Sequence, residues 1–384
     1  MRLTLATLLV AGIFATPATA SAWNVDICLK FEVDYADRDG GDWWNSTAPK
    51  PARGILYHVL DNGWNLVHGG LTDPETGCTG ALEMYDQNYK VRVLSVVQTS
   101  HANIVYRFNA GGVLYDQLVA PIFRPIGNGS YELVIENPTS GHGEDWVNVL
   151  AAAGYAIERE NGGHWNQAFA IFDAACPVAS DMCVHNGNIY TSSGDTDRKF
   201  RIALEMGHLV AYKRDEFTSP IYNFASYGGA CDEWGNTLHD LVSREYQSVA
   251  IVNGYAHFYS AAVFNDSGEN SCEIFDYDLI DYNKDGWAEF PQIRDCEGGA
   301  DYLGSYCGAP TTDRATELDW LRFFWDLHTN YGYGSTKIVN VLDRANPRNW
   351  SDAIAYDRMR NAAIAEGIDA SHWDSLANYN GVNR

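Results

Sequence analysis

The first part of the chain alternates short apolar runs with clusters of turn-forming residues. The apolar runs are rich in β-branched and aromatic residues, and the clusters between them contain Gly, Asn and Asp. The runs predict strands at residues 25–33, 54–59, 89–97, 103–108 and 131–135. Because strands at this spacing, with no helical period between them, are typical of two packed antiparallel sheets, the pattern predicts a β-sandwich over residues 23–138.

The hydrophobic period changes to that of helices after about residue 140. Trp146 and Leu150 fall on one helical face, and residues 197–213 repeat the same spacing. Further helices are predicted at residues 238–264, 313–328 and 351–366. The sequence therefore predicts a multidomain α+β protein whose second domain, residues 139–384, is mainly helical. A Cys- and Asp-rich insert at about residues 267–310 interrupts that domain.

Residues 1–22 have the pattern of a secretory signal peptide. Arg2 precedes an apolar run at residues 3–15, and small residues follow as far as Ala22. The run is too short to span a bilayer, and no later apolar run is long enough. Cleavage after Ala20 or Ala22 predicts a mature protein that is secreted, periplasmic or held at the cell surface, with no membrane span. A retained membrane anchor is the alternative.

The charge balance disfavours one class of partner. The sequence contains 50 Asp and Glu residues against 26 Lys and Arg residues, which gives a formal net charge of −24. Such a chain repels phosphate backbones, so nucleic-acid binding is not expected. The expected partner is an extracellular protein or a glycan.

The mature chain contains eight cysteines, an even number that predicts disulfides in an oxidising compartment. They are Cys28, Cys78, Cys176, Cys183, Cys231, Cys272, Cys296 and Cys307. The first two and the next two are natural local pairs, whereas the last four allow three connectivities. Because no two cysteines have Cys-x-x-Cys spacing, a thiolate zinc site is not expected.

The most specific motif is Leu-Glu-Met-Gly-His at residues 204–208. Zincin peptidases carry His-Glu-x-x-His on a helix, where the two histidines bind zinc and the glutamate polarises the attacking water. The glutamate and the second histidine of this motif are matched by Glu205 and His208. Leu204 takes the place of the first histidine.

A second motif, Asn-Gly-Tyr-Ala at residues 253–256, begins 45 residues after His208. It is similar to the second metal helix of gluzincins, in which a ligand glutamate stands in a pattern like Glu-Gly-x-Ala. Residues 185–265 therefore resemble a secreted gluzincin, a zincin-type metallopeptidase. The resemblance implies a zincin-like helical domain, zinc as its metal and Glu205 as its catalytic residue.

The residues at the implied ligand positions do not suit the usual zinc site. The resemblance places the three ligands at Leu204, His208 and Asn253. Leucine cannot coordinate a metal and a neutral amide is a weak zinc donor, whereas a catalytic zinc needs three protein ligands and an open position. Zn²⁺ is therefore not expected there. The leading hypothesis is a pseudo-peptidase, a secreted protein that binds a partner without catalysis.

An active metallopeptidase with a rearranged zinc site is the alternative. Its candidate ligands are His208, His257 and Glu245, with Glu205 as the base. The helical pattern predicts that His257 lies one turn after Asn253 and Glu245 two turns before it, so that all three share one helix face. A further interpretation makes His208 a hydrogen-bonded core residue and pairs Glu205 with an arginine.

An acidic segment in the insert resembles a calcium-binding loop. Asp281, Asn283 and Asp285 match positions 1, 3 and 5 of an EF-hand loop, and Glu289 adds a fourth donor. Oxygen donors at alternate positions converge on a hard cation, so these four residues predict a Ca²⁺ site. Position 12 is Gln292 in place of the usual glutamate. A solvated acidic loop is the alternative.

Two weaker signals complete the set of hypotheses. About 50 residues that begin at Ala52 resemble transthyretin-like and carboxypeptidase-regulatory-like β-sandwiches, which implies an accessory role for the N-terminal domain. The chain also contains 12 Trp and 23 Tyr residues. Because aromatic rings can stack on sugars, an extracellular carbohydrate-binding or carbohydrate-active protein is the third hypothesis.

Overall fold

Strands dominate the N-terminal part of the molecule and helices dominate its C-terminal part. The computed structural model describes residues 22–35, 48–99, 102–108, 113–136, 146–160, 167–177, 182–191, 196–214, 240–267, 272–276, 292–297, 301–306, 314–346 and 354–383. The mixed α/β composition predicted from the hydrophobic periods is confirmed. All the predicted N-terminal strands are present, with bounds shifted by one or two residues.

The secondary-structure elements are numbered along the chain. The strands are β1 (Trp23–Phe31), β2 (Lys50–Pro51), β3 (Ile55–Leu60), β4 (Leu66–Leu71), β5 (Cys78–Met84), β6 (Tyr89–Gln98), β7 (Ala102–Phe108), β8 (Val113–Leu114), β9 (Asp116–Phe123), β10 (Gly129–Ile135), β11 (Gln167–Asp173), β12 (Cys183–His185), β13 (Asn188–Thr191), β14 (Glu245–Tyr246), β15 (Glu273–Asp276), β16 (Gln292–Asp295) and β17 (Arg314–Ala315). The helices are α1 (Trp146–Arg159), α2 (Lys199–Arg214), α3 (Gln247–Phe264), α4 (Tyr302–Tyr306), α5 (Glu317–Tyr331), α6 (Ser335–Ala345), α7 (Ala355–Ala365) and α8 (Ala370–Tyr379).

Two sheets contain the strands of the N-terminal part. In the first sheet, β1 pairs with β10, β2 and β5. The second sheet has the order β12-β13-β11-β7-β6-β3-β4, with β8 added beside β7 and β9 beside β6. Alternate residues of β6 from Tyr89 to Val97 are buried, because one face of this strand points into the core. This alternation is the signal from which the strand was predicted.

The second sheet continues across the predicted domain boundary at residue 138. β11 pairs in parallel with β7, with Gln167 opposite Ala102 and Asp173 opposite Phe108. A parallel pair needs a long crossover connection, and α1 lies in this connection and packs against β6 and β7. Residues on both sides of position 138 thus share one sheet. The division into two domains stays a prediction.

The helix predicted at residues 238–264 begins later, at Gln247. The strand β14 comes directly before it and pairs with β17, so that Glu245 lies opposite Ala315. This pairing takes Glu245 out of the helix. The prediction that Glu245 shares a helix face with Asn253 is therefore wrong.

The remaining helix predictions are confirmed with changed bounds. α2 matches the span predicted at residues 197–213. α5 begins after Thr316, whose hydroxyl accepts a hydrogen bond from the amide of Asp319 at 3.2 Å and so caps the helix. It ends at Gly332, which adopts the left-handed conformation with φ of 69°. Of the three C-terminal helices, α7 lies in the span predicted at residues 351–366, whereas α6 and α8 were not predicted.

Disulfides fasten both the strand and the helix regions. The two predicted local pairs, Cys28–Cys78 and Cys176–Cys183, are present. A third disulfide joins Cys272 to Cys296, and Cys231 and Cys307 lie outside the described residues. None of the helices in the described part of the chain has the length and apolar character needed to cross a membrane.

Candidate functional site at the contact of three helices

Helices α2, α3 and α5 pack so closely that glycine is required at both contacts of α3. A Cβ atom on Gly207 of α2 would lie 2.8 Å from the Cα of Ala256 on α3. A Cβ atom on Gly254 of α3 would lie 2.5 Å from the Cβ of Trp320 and 2.8 Å from the carbonyl oxygen of Glu317, both on α5. Real Cβ atoms essentially never approach a neighbour so closely. The motif residues at 204–208 and 253–256 therefore lie on two helices in backbone contact.

The α2 part of the motif carries a charged pair in place of a metal-binding pair. Glu205 is buried, and its Oε1 lies 3.3 Å from Nε of Arg201, one helical turn earlier. Leu204 is buried, with 6% of its surface exposed. The arginine pairing considered for Glu205 from the sequence is thus present. This ion pair engages the side chain that the resemblance assigns to catalysis.

Asn253 on α3 is held by a residue that the sequence did not single out. Its amide Nδ2 donates a hydrogen bond to Oε1 of Glu317 at 2.9 Å. Both side chains are buried at the contact between α3 and α5. The side chain at the implied third ligand position therefore takes part in a helix–helix contact.

The same carboxylate also holds His257. Oε2 of Glu317 lies 3.1 Å from Nε2 of His257, and the histidine side chain keeps 17% of its surface exposed. Each oxygen of Glu317 thus contacts one residue of α3, and these two residues are one helical turn apart. We refer to Asn253, His257 and Glu317 as the carboxamide–carboxylate–imidazole cluster. In the sequence, Glu317 reads only as an acidic residue in the first turn of a helix, where it stabilises the helix dipole.

Glu245 lies apart from this cluster in the secondary structure. It belongs to β14, is fully buried, and its Oε1 accepts a hydrogen bond from the hydroxyl of Ser243 at 2.9 Å. The Ser243 hydroxyl in turn bonds to the backbone of Asp240. The contacts of Glu245 thus tie together the turn that leads into α3.

The predicted zinc donors do not form a compact group. Across the residues that the structure describes, the donor atoms of three residues come within 4.8 Å of one another only at Asp26, Cys28 and Cys78, and both cysteines there form a disulfide. His208, His257 and Glu245 are not gathered in this way, and the rearranged zinc site stays a prediction. The usual zinc site does not fit the residues either, because Leu204 is apolar and Asn253 is hydrogen-bonded to Glu317.

The predicted calcium donors Asp281, Asn283, Asp285 and Glu289 lie outside the described residues. The Ca²⁺ site therefore stays a prediction that rests on the sequence. Its neighbours in the described part are β15 and β16, which pair antiparallel from Glu273 opposite Asp295 to Asp276 opposite Gln292.

A second buried carboxylate, that of Asp319, fixes the start of α5. Asp319 accepts hydrogen bonds from the backbone amides of Tyr302 at 2.6 Å and Leu303 at 3.0 Å, and so joins α4 to α5. Burial raises the pKa of Asp319 to about 6, although these hydrogen bonds act in the opposite direction. The α5 helix that supplies Glu317 is thus anchored at its first turn.

Three of the tryptophans that could stack on sugars lie in the core, whereas Trp43 and Trp44 lie outside the described residues. Trp320, Trp325 and Trp373 are fully buried, and the rings of Phe323 and Trp373 have centroids 4.6 Å apart. These side chains pack helices against one another and present no ring to a ligand.

Comparison with models of known protein families gives no match, and comparison with curated protein sequences gives no significant match.

Proposed function

We propose that this protein is a secreted pseudo-peptidase: a non-catalytic binding protein in which an N-terminal β-sandwich precedes a zincin-like helical domain. The observation that carries the proposal is the hydrogen bond from Asn253 to Glu317 at 2.9 Å. It uses the side chain at the third implied ligand position for packing. The disulfides and the absence of a membrane-spanning helix in the described residues agree with an extracellular location.

The chemistry of zinc hydrolysis supports the same conclusion. A catalytic zinc requires three protein ligands and an open position for water. With Leu204 and Asn253 at two of the three implied positions, His208 alone can serve as a ligand there. Glu205, paired with Arg201 at 3.3 Å, then has no metal-bound water to deprotonate. The scaffold keeps its packing and lacks the groups for catalysis.

The expected partner is an extracellular protein or a glycan. The net charge of −24 speeds the encounter with positively charged surfaces and slows the encounter with negatively charged ones. A basic protein surface is therefore the favoured partner, and its association rate is expected to fall as salt concentration rises.

The first test is a peptidase assay on the purified mature protein. We expect no cleavage of a mixed peptide library, with or without added Zn²⁺, and no difference between the wild type and Glu205→Gln. Cleavage that depends on both the metal and Glu205 would contradict the proposal. The matched control is Glu75→Gln, because Glu75 is an exposed glutamate far along the chain from the helices.

A second test addresses the metallopeptidase-like scaffold. The triple variant Leu204→His, Asn253→Glu and Glu317→Gln supplies the usual ligand set and removes the carboxylate that would repel the new glutamate. We expect it to bind one Zn²⁺ per chain far more tightly than the wild type, measured by competition with a chelator. A triple variant that folds and still ignores zinc would show that the helices are not arranged as in a gluzincin.

A further inference from the structure

Exposed apolar side chains gather at one end of the two N-terminal sheets. Among the large apolar side chains that the structure describes, the four with the largest exposed fractions are Ile126 (83%), Ile122 (73%), Leu66 (60%) and Trp64 (55%). Two of them belong to the turn between β3 and β4 and its first strand residue. The other two belong to the end of β9 and the turn that follows it. Such side chains scattered singly need no explanation, whereas a group of them marks an interaction surface.

The strand registers show that these two segments lie at the same end of the second sheet. Leu60, at the end of β3, lies opposite both Leu66 of β4 and Lys90 of β6. The residue before Lys90 lies opposite Phe123, which directly follows Ile122. The first residues of β6 therefore lie between the two exposed segments.

The connections between the two sheets close this end. Asp86, between β5 and β6, and Arg124, between β9 and β10, form an ion pair in which Oδ1 and Nε are 2.6 Å apart. Tyr85, beside Asp86, is a further exposed aromatic residue. Three separate connections thus carry exposed large apolar side chains at one end of the sheets.

The turn between β3 and β4 holds Trp64 in a conformation that tryptophan rarely adopts. Its φ is 67°, whereas the other described non-glycine residues with positive φ are all Asn or Asp. The Asp61 carboxylate accepts a hydrogen bond from the amide of Asn65 at 2.9 Å, and the amide of Trp64 donates to the carbonyl of Asp61 at 3.1 Å. Nζ of Lys90 lies 4.2 Å from the centroid of the indole ring. The turn therefore sustains an unfavourable backbone conformation and presents the indole to solvent.

The charges at this end nearly cancel, although the whole chain has a formal net charge of −24. Residues 61–66, 83–90 and 122–128 contain three acidic side chains, those of Asp61, Glu83 and Asp86, against the two basic ones of Lys90 and Arg124. Repulsion between this acidic protein and lipid phosphates is therefore weakest at this end.

These features fit a lipid surface better than a folded protein partner. A protein partner needs one contiguous, closely packed patch, whereas a bilayer adapts to apolar side chains that project from separate turns. Trp and Tyr combine an apolar ring with a polar N–H or O–H group and are enriched where lipid meets water. The chain also enters at this end, because Trp23 begins β1 and lies opposite Met84, next to Tyr85. The apolar run at residues 3–15, predicted to be a signal peptide or a retained anchor, directly precedes this strand.

We propose that this end of the N-terminal sheets docks onto the surface of a lipid bilayer. Trp64, Leu66, Ile122 and Ile126 enter the boundary between headgroups and hydrocarbon, and Lys90 lies at the level of the phosphates. The docking is interfacial and involves no membrane span. It goes beyond the proposed function, because it holds the binding protein at a membrane whether or not the helices have any activity.

The test is cosedimentation with phosphatidylcholine vesicles of a mature protein that begins at Trp23, so that the apolar run contributes nothing. We expect the wild type to sediment with the vesicles. Leu66→Asn and Ile126→Asn should each weaken the partition coefficient by about 10-fold, because each removes an apolar side chain that enters the lipid. The matched control is Ile364→Asn, which changes an exposed isoleucine of α7 and should leave binding unchanged.

A second measurement locates the contact. Vesicles of brominated phosphatidylcholine should quench the tryptophan fluorescence of the wild type, and this quenching should fall in Trp64→Phe. Urea unfolding checks that each variant keeps the stability of the wild type. Quenching that is unchanged in Trp64→Phe would place the lipid contact elsewhere and overturn the proposal.

The remaining outcomes also decide the proposal. A wild type that stays in the supernatant, or an Ile126→Asn variant that binds as well as the wild type, would overturn it. Self-association without lipid that is lost in Ile126→Asn would assign this end to a second copy of the chain instead. None of these results bears on the peptidase assay, so a failure here leaves the non-catalytic function standing.

Discussion

The tight contact between α3 and α5 makes a quantitative prediction about Gly254→Ala. The new Cβ would lie 2.5 Å from the Cβ of Trp320 and 2.8 Å from the backbone oxygen of Glu317. Neither atom belongs to a flexible side-chain end, so one helix has to move. Overpacking of this kind costs about 1–3 kcal/mol, whereas alanine gains about 1 kcal/mol over glycine inside a helix.

Gly154→Ala is a matched control, because Gly154 is also a buried glycine inside a helix. Its added Cβ would have ordinary contacts, at 3.6 Å from the side chain of Val97 and 3.9 Å from the carbonyl oxygen of Arg53. The gain in helix propensity is common to both substitutions and cancels in their comparison. Gly254→Ala is therefore expected to be about 1–3 kcal/mol less stable than Gly154→Ala.

The assay is urea unfolding of the two variants and the wild type, followed by tryptophan fluorescence. We expect Gly154→Ala to be at least as stable as the wild type and Gly254→Ala to be less stable than both. Equal free energies of unfolding for the two variants would refute the close approach of α3 to α5. The contact of Glu317 with Asn253 would then lose its structural basis as well.

Two further predictions concern buried carboxylates. Asn253→Asp replaces the donor to Glu317 with a second carboxylate, which should destabilise the protein by about 2–4 kcal/mol at pH 8. Adding Glu317→Gln should restore most of the lost free energy of unfolding. If the effects of the two substitutions simply add in urea unfolding, the pairing of Asn253 with Glu317 is contradicted. Because burial raises the pKa of Asp319 to about 6 in the folded state from 3.8, its contribution to stability is full below about pH 4 and is lost as the pH rises through about 6. The loss is on the order of 2–3 kcal/mol, and Asp319→Asn should flatten that part of the pH profile of unfolding, whereas an unchanged profile would reject the assignment.

The sequence was sufficient to predict an element where its local hydrophobic pattern agrees with its burial in the folded protein. Alternate burial in β6 and the apolar spacing of α2 follow directly from one buried face, and both elements were predicted with nearly correct bounds. β4 was missed because its residues are mostly exposed and include Gly69 and Gly70, so it has no apolar alternation to detect. Strands that form the edge of a sheet give a weak signal for this physical reason.

The start of α3 and the role of Glu317 depend on residues far apart in the chain. Glu245 forms a strand because it pairs with Ala315, 70 positions later. Likewise Glu317 contacts Asn253 across 64 positions. Hydrophobic periodicity reports which face of an element is buried and contains no information about which distant residue covers it. The sequence therefore singled out Asn253 and His257 on α3, and it did not identify Glu317, the carboxylate that contacts both.

The residues of the two motifs divide according to what they do in the fold. Gly207, Gly254 and Ala256 keep the pattern of the resemblance, and the structure uses each of them where two helix backbones come into contact. Leu204 and Asn253 depart from the pattern at the positions where a zinc ion would need ligands, and both side chains are buried instead. Under the proposed function, selection would keep the residues needed for helix packing and would no longer keep the zinc ligands. We therefore expect substitutions at Gly207, Gly254 and Ala256 to lower the free energy of unfolding. Leu204→His should change it by less than about 1 kcal/mol only if the new imidazole reaches solvent or a metal, because a buried imidazole without a partner is costly.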